Sequence, residues 1–214
     1  MPPKPAREER AVLNLFRLWS RAYDWPVFQK VYYGRIHEKM LRRAGGLSPR
    51  RILEVGCGTG ELLLACSRKW PQAELSGLDL SAHMLEKARA KDYGRKARLV
   101  EGNVYAPPFE DGSFDLVVNS ISSHFYEDGP RAFGEMGRVT APGGRLLQAS
   151  LDNGFFRFLP GPWKEAVHVP SAVYRSPQAQ QKLLEGAGFR VEHSGRVAAN
   201  AYLYECVKRS GATS

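Results

Sequence analysis

A short apolar segment runs directly into three glycines at alternate positions, and this pattern constrains the fold more than any other stretch of the chain. Residues 51–55 are Arg-Ile-Leu-Glu-Val, which predicts a short buried strand. Gly56, Gly58 and Gly60 follow, and the apolar residues 62–66 favour a helix. A strand, a glycine turn and a helix in this order are typical of a parallel α/β sheet whose backbone approaches a nucleotide-like ligand. Glycine suits such a turn because it tolerates positive φ and has no Cβ to block the ligand.

An acidic residue lies nineteen positions after the last of these glycines. Asp79 falls in a second short apolar segment, Leu75 to Leu80, which predicts the next strand. In nucleotide-binding α/β folds, an acid at about this spacing accepts hydrogen bonds from the ribose hydroxyls. The glycines and the acid together therefore predict a nucleoside site, whereas the glycines alone would also suit a turn without a ligand.

The two segments Glu54-Val-Gly-Cys-Gly-Thr-Gly60 and Gly77-Leu-Asp-Leu-Ser81 together resemble the cofactor site of class I S-adenosylmethionine-dependent methyltransferases. A dinucleotide fold more often has G-x-G-x-x-G, whereas this chain has G-x-G-x-G with Glu54 just before it. A cofactor without phosphate places no anion at the helix N-terminus, so an acid is tolerated there. The resemblance extends over roughly residues 51–208 and weakens after Ser150.

The resemblance implies an α/β fold with a Rossmann-like, doubly wound sheet. The sheet is expected to be mostly parallel with an antiparallel C-terminal strand, in a domain of residues 49–209 preceded by a helical N-terminal cap of residues 1–48. The later strands are expected at residues 114–119, 145–150, 189–192 and 201–207, with a turn at Pro142-Gly143-Gly144. Helices are expected at residues 128–138 and 176–186, and the aromatic, proline-rich residues 155–169 are typical of an inserted lid or acceptor wall.

The resemblance also implies S-adenosyl-L-methionine as the cofactor and a set of residues around it. Asp79 would anchor the ribose, Asn103 would lie beside the adenine where the family usually has an acid, and Ser120 would border the methionine end. The full set of expected cofactor-binding residues is Tyr23, Glu54, Gly56, Cys57, Gly58, Thr59, Gly60, Asp79, Leu80, Met84, Asn103, Val104 and Ser120.

The loop after the fourth strand contains the candidates for catalysis. In open parallel sheets the chemistry lies at the carboxyl ends of the strands, so this loop should face the transferred methyl group. His124 is the candidate general base, with a pKa near working pH, and Tyr126 is the candidate for orienting a polar head group. The alternative is that both side chains shape the acceptor cavity. The spacing of the histidines and carboxylates predicts no metal site.

The positive charge of the chain is concentrated near its N-terminus. The net charge is +9, and residues 1–51 contain twelve Lys or Arg against four Asp or Glu. From about Arg7 an amphipathic helix is predicted, with apolar and aromatic residues on one face and arginines on another. This segment is either a cap that packs on the domain or a surface for anionic lipid. Tyr23-Asp24 followed by Gly34-Arg35 is similar to bacterial phosphatidylethanolamine N-methyltransferases and to ubiquinone/menaquinone methyltransferases.

Composition favours the cytoplasm. The chain has no apolar run long enough to cross a bilayer, and its three cysteines are few and scattered. A peripheral position on the inner face of a membrane is compatible with the basic N-terminal segment. Nucleic acid is not expected as a partner, because the nearly neutral remainder of the chain predicts no broad phosphate-tracking surface.

The sequence therefore predicts a methyltransferase that acts by in-line displacement on a small-molecule or lipid acceptor. The favoured acceptor is a phospholipid head group of the phosphatidylethanolamine type or a quinone precursor at a membrane. Three alternatives stay open: a methyltransferase for a soluble metabolite with the N-terminal helices as a lid, a NAD-dependent oxidoreductase, and a non-catalytic partner protein that kept the cofactor pocket.

Overall fold

A computed structural model describes residues 32–95, 97–152 and 173–210, and these ranges contain five α-helices and seven strands. The helices are α1 (Gly34–Arg43), α2 (Glu61–Lys69), α3 (Ala82–Arg89), α4 (Gly129–Val139) and α5 (Pro177–Gly186). The strands are β1 (Arg51–Val55), β2 (Glu74–Asp79), β3 (Arg98–Glu101), β4 (Phe114–Ser120), β5 (Thr140–Leu151), β6 (Phe189–Ala198) and β7 (Ala201–Lys208). Tyr23, the helix predicted from Arg7 and the lid predicted at residues 155–169 lie outside the described residues.

All seven strands form one sheet in the order β3-β2-β1-β4-β5-β7-β6. The first five strands are parallel to one another, and β7 is antiparallel to both β5 and β6. This confirms the predicted Rossmann-like sheet with an antiparallel C-terminal strand. Because the parallel strands end at the same edge, the residues after β1, β2 and β4 are brought together there.

The central strands are apolar because helices cover the sheet on both faces. Leu116, Val117 and Val118 of β4 are fully buried, as expected for a strand without a solvent-facing side. One core contains Leu62 of α2, and the core on the other face contains Phe133 of α4. The sheet is therefore the middle layer of a three-layer unit.

Helix α1, the described part of the predicted cap, packs into the first of these cores. Ile36 and Met40 are fully buried in the same cluster as Leu62. The indole Nε1 of Trp70 donates to the carbonyl of Leu47 at 2.9 Å, which ties the connection after α1 to the end of α2. The boundary near residue 48 stays a prediction. None of the helices within the described ranges combines the length and apolarity needed to cross a bilayer.

Two strands are longer than the sequence predicted. β5 begins at Thr140 instead of Arg145, because Thr140 pairs with Phe114 before the register shifts to Arg145 opposite Leu116. The predicted Pro142-Gly143-Gly144 turn is accommodated in this irregularity, where Gly143 has a φ of 74°. β6 runs on to Ala198 because it pairs with β7 along nearly its whole length.

Candidate active site

The glycine turn after β1, residues 56–60, is tied by its backbone to the neighbouring strand. Gly56, Gly58 and Gly60 have φ angles of 69°, 50° and 78°, in the region where residues with a Cβ are strained. The amides of Gly56 and Cys57 both donate to the carbonyl of Leu78, at 2.8 and 3.0 Å. Positive φ at three alternate positions, together with this anchoring, holds the turn against the carboxyl end of β2.

The three glycines differ in what surrounds them. A Cβ at Gly56 would stand 2.6 Å from Ser122 Oγ, and a Cβ at Gly60 would collide with the hydroxyl of Tyr93. A Cβ at Gly58 would meet nothing within 4 Å. Gly56 and Gly60 are therefore required by packing inside the protein, whereas Gly58 borders open space at the edge of the sheet.

Asp79, at the end of β2, lies beside this open space and binds the turn directly. Its Oδ2 accepts a hydrogen bond from the amide of Gly58 at 2.7 Å, and its Oδ1 accepts one from the amide of Ser81 at 2.9 Å. Burial raises the pKa of the Asp79 carboxyl above its ordinary value, and the bonds from Ser81 and Gly58 oppose that shift. Asp79 thus fixes the turn and keeps further lone pairs for a ligand's hydroxyl groups.

Glu54 lies beneath the turn as a buried acid. It is 3% exposed, and its Oε2 has no hydrogen-bond partner among the described residues. Burial raises the pKa of Glu54 well above its ordinary range; the backbone amide of Leu63 opposes this shift, and the nearby charge of Asp79 adds to it. A buried polar atom without a partner is rare and commonly marks a place where a ligand or water binds.

The other residues predicted near the turn contribute in different ways. The side chain of Cys57 is buried, and its sulfur would lie 2.9 Å from a Cβ at Gly77, so it fills the gap left by that glycine in β2. Cys57 can therefore offer a ligand its backbone but not its thiol. Met84 of α3 is also buried, whereas Thr59 and Leu80 are half-buried.

The exit from β3 places Asn103 and Val104 at the same edge of the sheet, both half-buried. The Oδ1 atom of Asn103 accepts a hydrogen bond from the amide of Tyr105 at 3.0 Å. The asparagine therefore shapes its own loop, as short polar side chains commonly do.

The loop after β4, residues 121–126 and called the exit loop below, joins β4 in a hydrogen-bond network that reaches the glycine turn. Asn119 Nδ2 lies 2.7 Å from Ser122 Oγ, 3.0 Å from the Tyr126 hydroxyl and 2.9 Å from the carbonyl of Val55. Ser122 Oγ and the Tyr126 hydroxyl are 2.9 Å apart. Burial raises the pKa of Tyr126, so the hydroxyl keeps its proton near neutral pH. Tyr126 is thus bound within the network behind Gly56.

His124 forms an aromatic wall with two neighbouring rings. Its ring is stacked on Tyr174 with centroids 5.7 Å apart and an interplanar angle of 6°, and it contacts Phe125 at a centroid distance of 4.0 Å. Its Nδ1 is buried without a hydrogen-bond partner among the described residues. The sequence predicted a pKa near working pH, but burial lowers the pKa of His124 to about 3. The imidazole is therefore neutral at physiological pH.

Sequence reasoning missed several residues that build this edge. Asn119 and Gln148 are fully buried polar residues in apolar strands, and Gln148 Nε2 donates to Ser123 Oγ at 3.0 Å. A polar residue within an apolar strand could have indicated a buried hydrogen-bond network at these two positions. Arg175 donates to the carbonyls of Ser123 and Tyr126, at 3.2 and 2.7 Å, and no local pattern pointed to it.

These features fit a nucleoside cofactor with a charged amino-acid end. The space beside Gly58 is open, and the carboxylate of Asp79 borders it. Glu54 Oε2 of β1 and Ser120 Oγ of β4 are buried atoms without partners among the described residues, and these two strands are neighbours in the sheet. Within the same described ranges, no three His, Cys, Asp or Glu residues are grouped as a metal site would need.

Comparison with known proteins places this geometry in a family. A family model described as a methyltransferase domain matches residues 52–144. The demethylmenaquinone methyltransferase of Thermus thermophilus is 33% identical over 169 residues, which cover 68% of this chain and 77% of that protein. A malonyl-[acyl-carrier protein] O-methyltransferase of Halorhodospira halophila is 32% identical over 160 residues, covering 74% of this chain but only 54%, about half, of that protein.

A solved structure shares this fold. A chain from the complex between the Haloferax volcanii Trm112 methyltransferase activator and a methyltransferase has a TM-score of 0.79 to this protein. The match covers 93% of this chain and 98% of the other at 19% identity, which shows the common fold alone. The family match and the sequence relatives identify the family, and the positions of Gly58 and Asp79 agree with it. The chain belongs to the S-adenosylmethionine-dependent methyltransferase family.

Proposed function

We propose that this methyltransferase acts on an acceptor carried in a membrane, either a quinone precursor or a phospholipid amine head group of the phosphatidylethanolamine type. The observation that carries the proposal is the aromatic wall formed by His124 and Phe125 of the exit loop with Tyr174. A flat, apolar ring packs favourably on such a wall, since offset-stacked and edge-to-face aromatic pairs contribute beyond the area that they bury. The neutral state of His124 keeps the wall free of positive charge.

Two further observations support a lipid-borne acceptor. The Thermus relative is named a demethylmenaquinone methyltransferase, and the match covers most of that protein. The twelve basic residues among the first 51, against four acidic ones, give the N-terminal part of the chain a charge that attracts anionic lipid. On this proposal the enzyme works in the cytoplasm, at the inner face of a membrane.

The chain's own residues bind, orient and exclude water. The cofactor, when bound, supplies a methyl group on a sulfonium that is already electrophilic. Asp79 and the backbone around Gly58 would hold its nucleoside, and Glu54 and Ser120 would offer acceptors to its amino-acid end. The buried wall at His124 would keep water from the line between acceptor and methyl group, which favours direct displacement.

His124 would contact the acceptor as a neutral imidazole. Its Nδ1 can accept a hydrogen bond from a ring hydroxyl or from an amine that has lost its proton. The site disfavours charge, so it would also favour the neutral, nucleophilic form of an amine. With a pKa of about 3, the imidazole is a weak base, and we propose that it orients the acceptor more than it removes its proton.

A methyl-transfer assay with labelled cofactor tests the proposal. The full chain is given vesicles of phosphatidylglycerol with demethylmenaquinol, vesicles with phosphatidylethanolamine, and vesicles with neither. We expect label in the quinol or in the amine lipid, and sedimentation with anionic vesicles that weakens as salt rises from about 0.05 to about 0.5 M. The absence of label in both lipids would overturn the membrane acceptor.

The second candidate is an acceptor delivered in solution. It is favoured by the malonyl-[acyl-carrier protein] relatives, of which this chain matches 54% of the Halorhodospira protein. In that case the N-terminal helices would serve only as a lid. A malonyl thioester on a carrier protein is therefore included in the same assay, and label in it alone would favour this candidate.

A further inference from the structure

The exit loop is held in an uncommon backbone conformation. Ile121 has a φ of 50°, the only positive φ at a non-glycine position in the described parts of the chain. Its amide donates to the carbonyl of Ala149 at 2.9 Å, which ties the start of the loop to β5. A β-branched residue is strained in this region and stays there only where the surroundings fix it. The loop therefore needs contacts that hold it in place.

Those contacts come from residues 173–175, a segment fifty positions further along the chain. The amide of Val173 donates to the carbonyl of His124 at 2.7 Å. The guanidinium of Arg175 donates from Nη1 to the carbonyl of Ser123 and from Nη2 to the carbonyl of Tyr126. Residues 123–125 form a single 3-10 helical turn, and a charged donor that bridges its carbonyls forms stronger hydrogen bonds than a neutral one would.

The surroundings of Arg175 make room for this arrangement. A Cβ at Gly129, the first residue of α4, would stand 2.8 Å from Arg175 Nη2 and 3.1 Å from its Cζ. Glycine at this position therefore lets the guanidinium approach the loop. Arg175 is half-buried, and burial lowers its pKa, but an arginine stays charged at physiological pH.

The exit loop also contacts the glycine turn. Arg175 holds the backbone of Tyr126, whose hydroxyl belongs to the network with Asn119 and Ser122. A Cβ at Gly56 would stand 2.6 Å from Ser122 Oγ and 3.1 Å from the Tyr126 hydroxyl, so both groups pack closely against this glycine. A continuous series of hydrogen bonds and close contacts thus runs from the guanidinium to the glycine turn.

We infer that Arg175 is a positioning residue for methyl transfer: it fixes the exit loop so that His124 faces the acceptor and the Tyr126 network supports the glycine turn. The part that concerns the acceptor rests on the proposed function, whereas the part that concerns the glycine turn does not. Arg175 acts through the loop and is not itself a group that touches the reacting atoms.

The experiment compares Arg175→Gln, Arg175→Lys and Arg190→Gln in the full chain. Arg190 is the matched control because it is an exposed arginine of β6 whose Nη2 binds Glu192, away from the loop. Three quantities are measured: the affinity for S-adenosylhomocysteine by calorimetry, hydrogen exchange of residues 117–128, and kcat and KM for demethylmenaquinol in vesicles. Hydrogen exchange of β1 and α2 reports any general loss of stability.

For Arg175→Gln we expect faster exchange in residues 117–128 alone, nucleoside affinity about fivefold lower, and kcat about tenfold lower with little change in KM for demethylmenaquinol. Arg175→Lys should recover part of each effect, since it keeps one charged donor, and Arg190→Gln should match the wild type. If Arg175→Gln does not fold, Gly129→Ala replaces it, because its Cβ displaces the guanidinium.

Unchanged exchange and an affinity within about twofold of the wild type would overturn the inference, as would equal losses in all segments. If the wild type methylates neither the quinol nor the amine lipid, the proposed acceptor is wrong. The exchange and affinity comparisons still decide the role of Arg175 in that case, so the two failures are distinguishable.

Discussion

The two halves of the active-site edge are built in different ways. On the cofactor side, the glycine turn and Asp79 are 21 positions apart in sequence and meet through backbone amides. On the proposed acceptor side, Arg175 reaches Ser123 across 52 positions, and Asn119 reaches Val55 across 64. A local strand-turn-helix pattern specifies the first half, whereas the second half forms only when distant segments pack together.

The two halves also differ in polarity. The cofactor side presents a carboxylate, backbone amides and a second buried acid at Glu54. The acceptor side presents aromatic rings and a neutral imidazole at His124. One side suits a ligand with hydroxyl groups and positive charge, and the other suits a neutral acceptor. The four predictions below test this division, in order of decreasing effect.

Replacing Asp79 should have the largest effect on the cofactor side. Asp79→Ala removes the carboxylate expected to bind two ribose hydroxyls, and hydrogen bonds to charged groups contribute about 1.5–3 kcal/mol each. We expect the affinity for S-adenosylhomocysteine to fall about 100-fold or more by calorimetry. Asp92→Ala is the control, because Asp92 also caps a backbone amide, that of Gly94, but in an exposed loop. Equal affinities of the two variants would contradict the assignment.

The buried, neutral imidazole of His124 should make the free energy of unfolding depend on pH. The pKa of His124 is about 3 in the folded protein and about 6.5 when unfolded, so the unfolded chain binds the extra proton between these values. Stability is therefore fully present above pH 6.5 and falls as pH falls. Between pH 6.5 and 5 the loss is about 2 kcal/mol, at 1.36 kcal/mol per pH unit.

Urea unfolding of the wild type and His124→Phe at pH 7 and pH 5 measures this loss. Phenylalanine keeps a ring against Tyr174 but cannot titrate. His37, whose pKa burial lowers to about 4, contributes to both proteins and cancels in the difference. The variant should lose about 2 kcal/mol less than the wild type on acidification. Equal losses would mean that His124 is not buried as a neutral side chain.

The same contrast explains how much the sequence predicted. The parallel sheet, the glycine turn and Asp79 were all predictable, because they depend on short-range periodicity and on a fixed spacing. The hydrogen bonds from Arg175 to the exit loop could not be predicted. Their acceptors are backbone carbonyls, which every residue has, so no residue type in the loop marks them. The pKa of His124 was also predicted wrongly, because burial by Phe125 and Tyr174 depends on the folded packing.

A methyl group added at Gly58 should separate the open crevice from backbone strain. Gly58→Ala places a Cβ in space where nothing lies within 4 Å, and its φ of 50° adds strain of about 1 kcal/mol. Gly143→Ala is matched, since Gly143 has a φ of 74° and equally open surroundings in the irregular first part of β5. Both variants should melt about 2–4 °C lower. Only Gly58→Ala should bind S-adenosylhomocysteine more weakly, by about tenfold, and equal binding would mean that the cofactor lies elsewhere.

The smallest effect should come from Asn103, where the cofactor side departs from its family resemblance. Asn103→Asp keeps the acceptor for the amide of Tyr105, so the loop conformation should not change. A carboxylate accepts the hydrogen bond of an adenine amino group more strongly than an amide does, but at a half-exposed site the gain is at most about 0.6 kcal/mol. We expect S-adenosylhomocysteine affinity to rise about threefold or less, and S-inosylhomocysteine, which lacks that amino group, to show no gain. A gain shared by both ligands would mean that the carboxylate acts on the loop, since a direct contact with the adenine must distinguish them.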